Sequence, residues 1–306
     1  MKKLGHIAGL TFATIFGFSF LFSKIALDYV SPVGLIAYRF LIGFIGFELL
    51  RRFKVVHIRF EKKYVKLWLA VAFFQPILYF LFETYGLSYT TSGEAGMMIA
   101  LIPIIVSILG ALILKEAPHK SQYFFILLSV LGIVFIQIMK PSNTSGVFIG
   151  FVLLFLAVVS AGLYNIASRN ASRHIKPYEV TYFMMLVGAV GFNFIYLIQL
   201  AFGDGIKTYL TNLSQIQLLL PLLYLGVIAS IGGFFMMNFA LSRLPAHVSS
   251  VYSNLSTIVA IIAGALILRE QLYWYHYVGS VMIIVGVYGT VRLNHVNRQK
   301  EEVSPL

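Results

Sequence analysis

Apolar runs of about twenty residues, separated by short polar or Pro-bearing connections, recur along the whole chain; as a helix, such a run crosses about 30 Å of hydrocarbon. The pattern predicts five spans in the first half: Ile7–Tyr29, Pro32–Leu50, Leu67–Leu87, Ala95–Leu114 and Tyr123–Met139. It predicts five more at Val147–Ala167, Tyr178–Phe202, Ile216–Leu241, Val248–Leu268 and Tyr275–Val291. Pro32, Pro118, Pro141, Pro177 and Pro245 fall in or beside connections, where a missing amide hydrogen is tolerated. Pro76, Pro103 and Pro221 lie inside apolar runs and predict kinks. Lys2-Lys3 before a long apolar run reads as a retained first span rather than a cleaved leader. The polar stretch Asn294–Leu306 is expected to be a disordered tail.

The two halves repeat. Gly110–Glu116 reads GALILKE and returns 154 residues later as GALILRE at Gly264–Glu270. The same offset pairs Leu87-Ser88 with Leu241-Ser242, Tyr123 with Tyr277 and Gly132 with Gly286. An offset of 145 pairs Ser23 with Ser168, Ala26 with Ala171 and Pro32 with Pro177, so the second copy holds nine extra residues between its second and third runs. Residues 1–140 and 141–293 are therefore read as two copies of one five-helix unit, with 294–306 as the tail. Five is odd, so consecutive copies cross in opposite senses. The expected fold class is an all-α membrane protein of ten transmembrane helices arranged as two inverted five-helix repeats.

Composition and charge support this reading. Hydrophobic residues make up 59% of the 306 and charged residues only 11%, against about a quarter in soluble proteins. Mean hydropathy is +0.87. The net charge of +12 suggests a nucleic-acid partner until the cations are placed. Of the 23 Lys and Arg, eighteen fall on the connections of one face, four (Lys24, Lys140, Lys207, Arg269) on the other, and Arg39 lies within a span. That bias predicts a multi-pass protein of the cell membrane with both termini cytoplasmic and anionic lipid headgroups as partners of the basic face. No nucleic-acid partner is expected. The absence of cysteine removes thiol nucleophiles and thiolate metal sites. No hydrolase, zinc-protease or phosphate-loop motif is present, so neither an enzyme nor a cofactor is expected.

Ionisable groups at membrane depth are costly and are the leading candidates for function. Gln75, Tyr79 and Glu83 recur every four residues in the third run, with Gly86 following, and predict one polar helix face. Glu83 could take up a proton, hold a cationic substrate group, or be a structural acid near the interface. Glu94 opens the fourth run and could share its vestibule or cap a helix. Arg39 could meet a carboxylate from the substrate or from the protein, Glu48 being one such acid. The second half lacks matching acids: Met237 stands opposite Glu83 and Val248 opposite Glu94. It offers neutral stripes instead, namely Ser160, Tyr164 and Ser168 with Asn165; Ser230, Gly233 and Met237 with Asn238; and Ser250, Ser253, Asn254 and Thr257. Small and hydroxyl residues also mediate close helix contact in bilayers, so these stripes read either as site or as packing. Trp68, Trp274, Tyr273, Tyr275 and Tyr277 fall at run ends and are expected in interfacial belts.

Several local patterns resemble those of the EamA family of the drug/metabolite transporter superfamily. They are Phe16-Gly17, Ser23-Lys24, Arg39-Phe40, GLSYTTSGEA (Gly86–Ala95), Pro103, the LILKE and LILRE elements, and ALSRLPAHVSSV (Ala240–Val251). The resemblance covers Lys3 to about Arg292. It implies a central cavity lined by spans one, three, four, six, eight and nine, with five and ten peripheral. It also implies transport of small metabolites, often amino acids or related compounds, with protons as a suspected coupling partner. Glu116 and Glu270 match the family's terminal acid, here read as structural. Glu94 departs from the small or apolar residue usual at its position. The expected function is a secondary transporter working by alternating access. An uncoupled facilitator and a non-transporting accessory or sensor protein are the alternatives.

Overall fold

The computed structural model describes residues 2–89, 98–139, 148–203, 205–267, 269 and 271–303. The first half contributes α1 (Lys2–Leu27), α2 (Pro32–Arg52), α3 (Lys62–Gly86), α4 (Ile102–Leu114) and α5 (Lys120–Met139). The second contributes α6 (Phe148–Ala171), α7 (Pro177–Phe202), α8 (Ile216–Arg243), α9 (Ala246–Ile267) and α10 (Trp274–Val303). Among the described residues nine of these helices are long and apolar enough to cross a bilayer, and α4 is a shorter apolar helix. Helices suit such sequences because lipid offers no partner to backbone amides, which must bond within the segment.

Corresponding spans begin alike. Pro32 sits in the first turn of α2, and the Ser31 hydroxyl accepts from the Gly34 amide at 3.2 Å. Pro177 occupies the first turn of α7, where Glu179 Oε2 accepts from the Lys176 amide at 3.0 Å. The elements GALILKE and GALILRE also share a backbone device. Lys115 and Arg269 are both left-handed, at φ 58° and 55°, a conformation that turns the chain out of a helix axis.

The neighbours of each helix exchange between the halves. α2 lies along α7 and α5 along α10, each a span against its own counterpart. α1 lies against α8 and α9, while α6 lies against α3 and α4. A two-fold relation between the copies produces this pattern, and the fold is two inverted five-helix repeats. Two apolar clusters hold it together: one, around Tyr38, Phe40, Met184 and Leu222, joins α2, α3, α6, α7 and α8. The other, around Phe12, Ile126, Val251 and Ile283, joins α1, α5, α9 and α10. α5 and α10 approach most closely at glycine. A Cβ on Gly132 would stand 2.7 Å from the Gly279 carbonyl oxygen, and one on Gly279 would stand 2.7 Å from that of Gly132.

Four expectations are corrected. The face Gln75–Tyr79–Glu83 is not one continuous α-helical stripe, because Gln75 has extended backbone (φ −150°, ψ 123°) ahead of Pro76, within a wide turn over Phe73–Leu78. Proline removes the amide that would have continued the ladder and pushes its predecessor out of the helical region. At Pro103 the expected interruption is present: helical Met98 and Ile99 give way to a turn at Ala100 and Leu101, and helix resumes at Ile102 with Pro103 in its first turn, where proline needs no amide partner. Two of the expected belt residues are buried. Trp68 is 3% exposed, packed between Phe60 and Phe183 at ring distances of 5.8 and 5.2 Å, because residues 53–61 fold back over it. Tyr275 is buried as well, its ring stacked on that of Tyr273 at 5.5 Å and tilted against His276 at 4.4 Å. α10 is helical to Val303, through polar residues expected as tail, since a formed helix extends without a new nucleus and Gln, Lys and Glu favour it. The extra residues of the second copy fall in a connection that holds a short helix, Lys207–Leu213.

Candidate functional site

Both third spans widen near their middles, and α3 also leaves helical backbone there, at Gln75. α3 takes its wide turn at Phe73–Leu78 and α8 at Tyr224–Gly233. Wide turns of this kind free backbone groups and recur at functional sites. In α8 the Ser230 hydroxyl fills one such gap by donating to the Leu225 carbonyl at 2.8 Å. The repeat offset sets Ser230 opposite Pro76, so the same level of the two spans is disrupted by different chemistry.

Arg39 of α2 reaches this level. Its Nε donates to Ser230 Oγ at 2.9 Å, and its guanidinium carbon lies 5.7 Å from the Phe80 ring centre and 5.8 Å from that of Phe234. The cation is thus clasped between one aromatic ring of each third span. Tyr79 and Glu83 stand on the next turns of α3. The Tyr79 hydroxyl and Glu83 Oε1 are 3.5 Å apart, the outer limit of hydrogen bonding. Glu83, Tyr79 and Tyr224 all lie within electrostatic range of Arg39, yet no contact within 4.0 Å joins Arg39 to Glu83. A guanidinium has five N–H donors in a planar fork. Only Nε has an acceptor among the described residues; the Nη groups do not, and Arg39 remains partly accessible. Glu48 is not the partner of Arg39. It takes Arg51 through both carboxylate oxygens, with Arg52 at 3.4 Å and the Tyr182 hydroxyl at 3.1 Å.

The second-half candidates separate from this cluster. Asn238 of α8 accepts from the Tyr164 hydroxyl at 2.8 Å and from that of Ser168, and donates to Thr181 Oγ1 at 3.0 Å. The network is buried, and Asn238 binds on both sides of its amide. Asn165 donates to the Ala161 carbonyl at 2.8 Å, while its Oδ1 is buried without a partner among the described residues. Asn254 donates to Ser129 Oγ of α5 at 3.0 Å, and Ser253 returns its proton to the Ser250 carbonyl. Gln75 is buried beside Pro76 in the broken turn of α3. Glu94 lies outside the described residues, as does Glu270.

Glu116 accounts for the ends of three helices. Arg169 of α6 meets its carboxylate at 2.9 and 3.0 Å and donates through Nη1 to the Leu241 carbonyl at 2.9 Å. The Ala246 amide, opening α9, donates to Glu116 Oε2 at 3.2 Å. Phe80, Phe234, Tyr224 and Thr181 were absent from the sequence candidates. Aromatic and hydroxyl residues are too common here to be singled out without contacts.

Ten helices in two inverted copies, with a cation and a carboxylate held apart between third spans that each carry a wide turn, define the architecture of a membrane carrier. The chain matches the EamA-like transporter family over residues 3–138 and 148–292, and belongs to that family. It is 37% identical over 301 residues to the uncharacterized transporter YcxC of Bacillus subtilis (strain 168), covering 98% of this chain and 95% of that one. It is 24% identical over 294 residues to a probable amino-acid metabolite efflux pump of Escherichia coli (strain K12), covering 94% and 95% of the two chains. A crystal structure 17% identical in sequence superimposes with a TM-score of 0.80 over 94% of this chain and 96% of its own, and shares the fold. The chain is a multi-pass membrane protein whose relatives are named as transporters rather than enzymes.

Proposed function

We propose that this protein is a secondary transporter of small metabolites, amino acids or related compounds, working by alternating access with both termini in the cytoplasm. The observation that carries this reading is the Arg39 fork, whose Nη groups have no acceptor among the described residues and which faces an acid it does not contact. A charge at membrane depth costs free energy that a purely structural role would recover by pairing it. A carboxylate-bearing substrate supplies the missing acceptor in bidentate geometry. Glu83 then either takes the substrate's cationic group or carries the coupling proton. The inverted repeat supports alternation, because two copies of one unit can exchange conformations and open the same site to either face. The name of the Escherichia coli relative supports the substrate class.

A metabolite panel scored by thermal stabilisation identifies the ligand, since a compound selective for the folded state raises its stability. In proteoliposomes, Glu83→Gln abolishes uptake driven by a pH gradient while the protein stays folded. Unchanged gradient dependence removes Glu83 from coupling and leaves an uncoupled facilitator. The closed network around Asn238 favours the accessory-protein reading, which predicts no stabilising ligand and no substrate flux at all.

A further inference from the structure

The most basic connection of the chain does more than report topology. Between α2 and α3 it carries Arg51, Arg52, Lys54, Arg59, Lys62 and Lys63, and Lys66 follows in α3, all exposed. Large apolar side chains are interleaved with them and also exposed: Phe53 at 76%, Val55 at 66% and Phe60 at 53%. Cations alternating with unburied apolar groups suit the boundary between headgroups and acyl chains.

This segment ends at a crevice. α3 and α7 run side by side in the same direction, and two apolar hollows lie between them. One, of about 290 Å³, is walled by Ile58, Phe60, Trp68, Tyr182, Phe183 and Leu186. The other, of about 360 Å³, is walled by Leu69, Ala70, Ala72, Phe73, Ile77 and Val187. Trp68 faces Phe183 in the first, and one turn further along both helices Ala72 and Val187 wall the second. The hollows therefore stack along one seam, from the basic face towards the break in α3. Trp68 to Ala72 spans about 6 Å at 1.5 Å per residue, Phe73 and Ile77 carry the seam on into the wide turn, and Phe60 and Ile58 lengthen it at its basic end. The indole N–H of Trp68 is buried there without a partner among the described residues. The walls are apolar, and the basic end keeps a cationic excess. Glu61 pairs with Lys63 at 2.6 Å and Glu179 accepts from the Arg59 amide at 3.0 Å, while Lys62 and Lys66 have no ion pair among the described residues. That arrangement suits one anionic headgroup with an acyl chain beneath it.

We infer that the α3–α7 crevice is a binding site for an anionic phospholipid, its acyl chain in the seam and its phosphate among Arg59, Lys62 and Lys66. Each cation close to the headgroup contributes a several-fold preference for anionic over zwitterionic lipid, so two together contribute about thirtyfold. The site is separate from Arg39 and stands whether or not a substrate is found.

The full chain, purified in mild detergent and offered chain-matched phosphatidylglycerol and phosphatidylcholine in equal amounts, is read by native mass spectrometry. The wild type retains phosphatidylglycerol in preference. The double variant Lys62→Gln/Lys66→Gln loses about thirtyfold of that preference, and Leu69→Trp, which fills the seam, lowers retention of both lipids. Leu69, Lys62 and Lys66 are exposed, and thermal unfolding of each variant in the same detergent checks that the fold is kept. Equal retention of the two lipids by the wild type overturns the assignment, as does a preference the double variant leaves unchanged. Dimer masses in place of lipid adducts, abolished by Leu69→Trp, overturn it too and give the seam to a second copy of the chain.

Discussion

Ser230 and Asn238 stand on the same helix, about 12 Å apart, and the groups around them behave in opposite ways. Asn238 gathers two hydroxyls on its oxygen and gives a hydrogen to a third, so donors and acceptors balance inside the protein. Around Ser230, Arg39 brings five donors, spends one, and stops short of Glu83. A closed network rigidifies the junction of α6, α7 and α8; an open one can take an acceptor from outside, as the proposed function requires. Polarity inside a membrane protein does not by itself mark a site. The imbalance of donors and acceptors is what makes the Arg39 cluster the candidate.

The largest effect that would break this contrast falls on Arg39. Arg39→Ala lowers transport about a hundredfold, the loss of charge-assisted bonds totalling about 3 kcal/mol. Arg39→Lys restores little of it, because an ammonium lacks the planar fork. Uptake kinetics in proteoliposomes, normalised to folded protein, measure both; a full rate in Arg39→Ala erases the distinction. Next comes Asn238→Leu, which strands three hydroxyl partners and lowers unfolding stability by about 2 kcal/mol. Ligand affinity of the folded protein changes less than about twofold, a shift of about 0.4 kcal/mol. A large loss of affinity at unchanged stability would move Asn238 into the site. The smallest effect is expected for Ser230→Ala, which frees the Arg39 fork to swing. It raises KM about fivefold, equivalent to about 1 kcal/mol, with the melting temperature nearly constant. A fall in melting temperature without a change in KM would make Ser230 a packing residue like Asn238.

Much of the architecture was legible as text because lipid imposes simple rules. A span needs about twenty apolar residues, and the recurrence of GALILKE as GALILRE extends to a left-handed residue at the same place in each copy. The pairing of Pro32 with Pro177 returned as two matching helix starts. Glu116 was read as a structural acid and is found bonding Arg169 and the Ala246 amide. Legibility failed where a residue's partner lies on another helix. Nothing in the sequence sets Phe80 and Phe234 on either side of Arg39, and nothing distinguishes Asn238, which bonds three helices together, from a residue lining a cavity. The break at Gln75 was signalled by Pro76, but spacing alone drew an unbroken stripe across it.

Length and periodicity of apolar runs, the odd number of spans per copy and the distribution of Lys and Arg determined the class of protein, since each is a one-dimensional consequence of crossing a bilayer. Which polar groups are satisfied is a three-dimensional question. A hydrogen bond depends on about 3 Å of separation between atoms that can be two hundred residues apart, as Arg39 and Ser230 nearly are. Only the assembled helices could therefore separate the open cluster from the closed one.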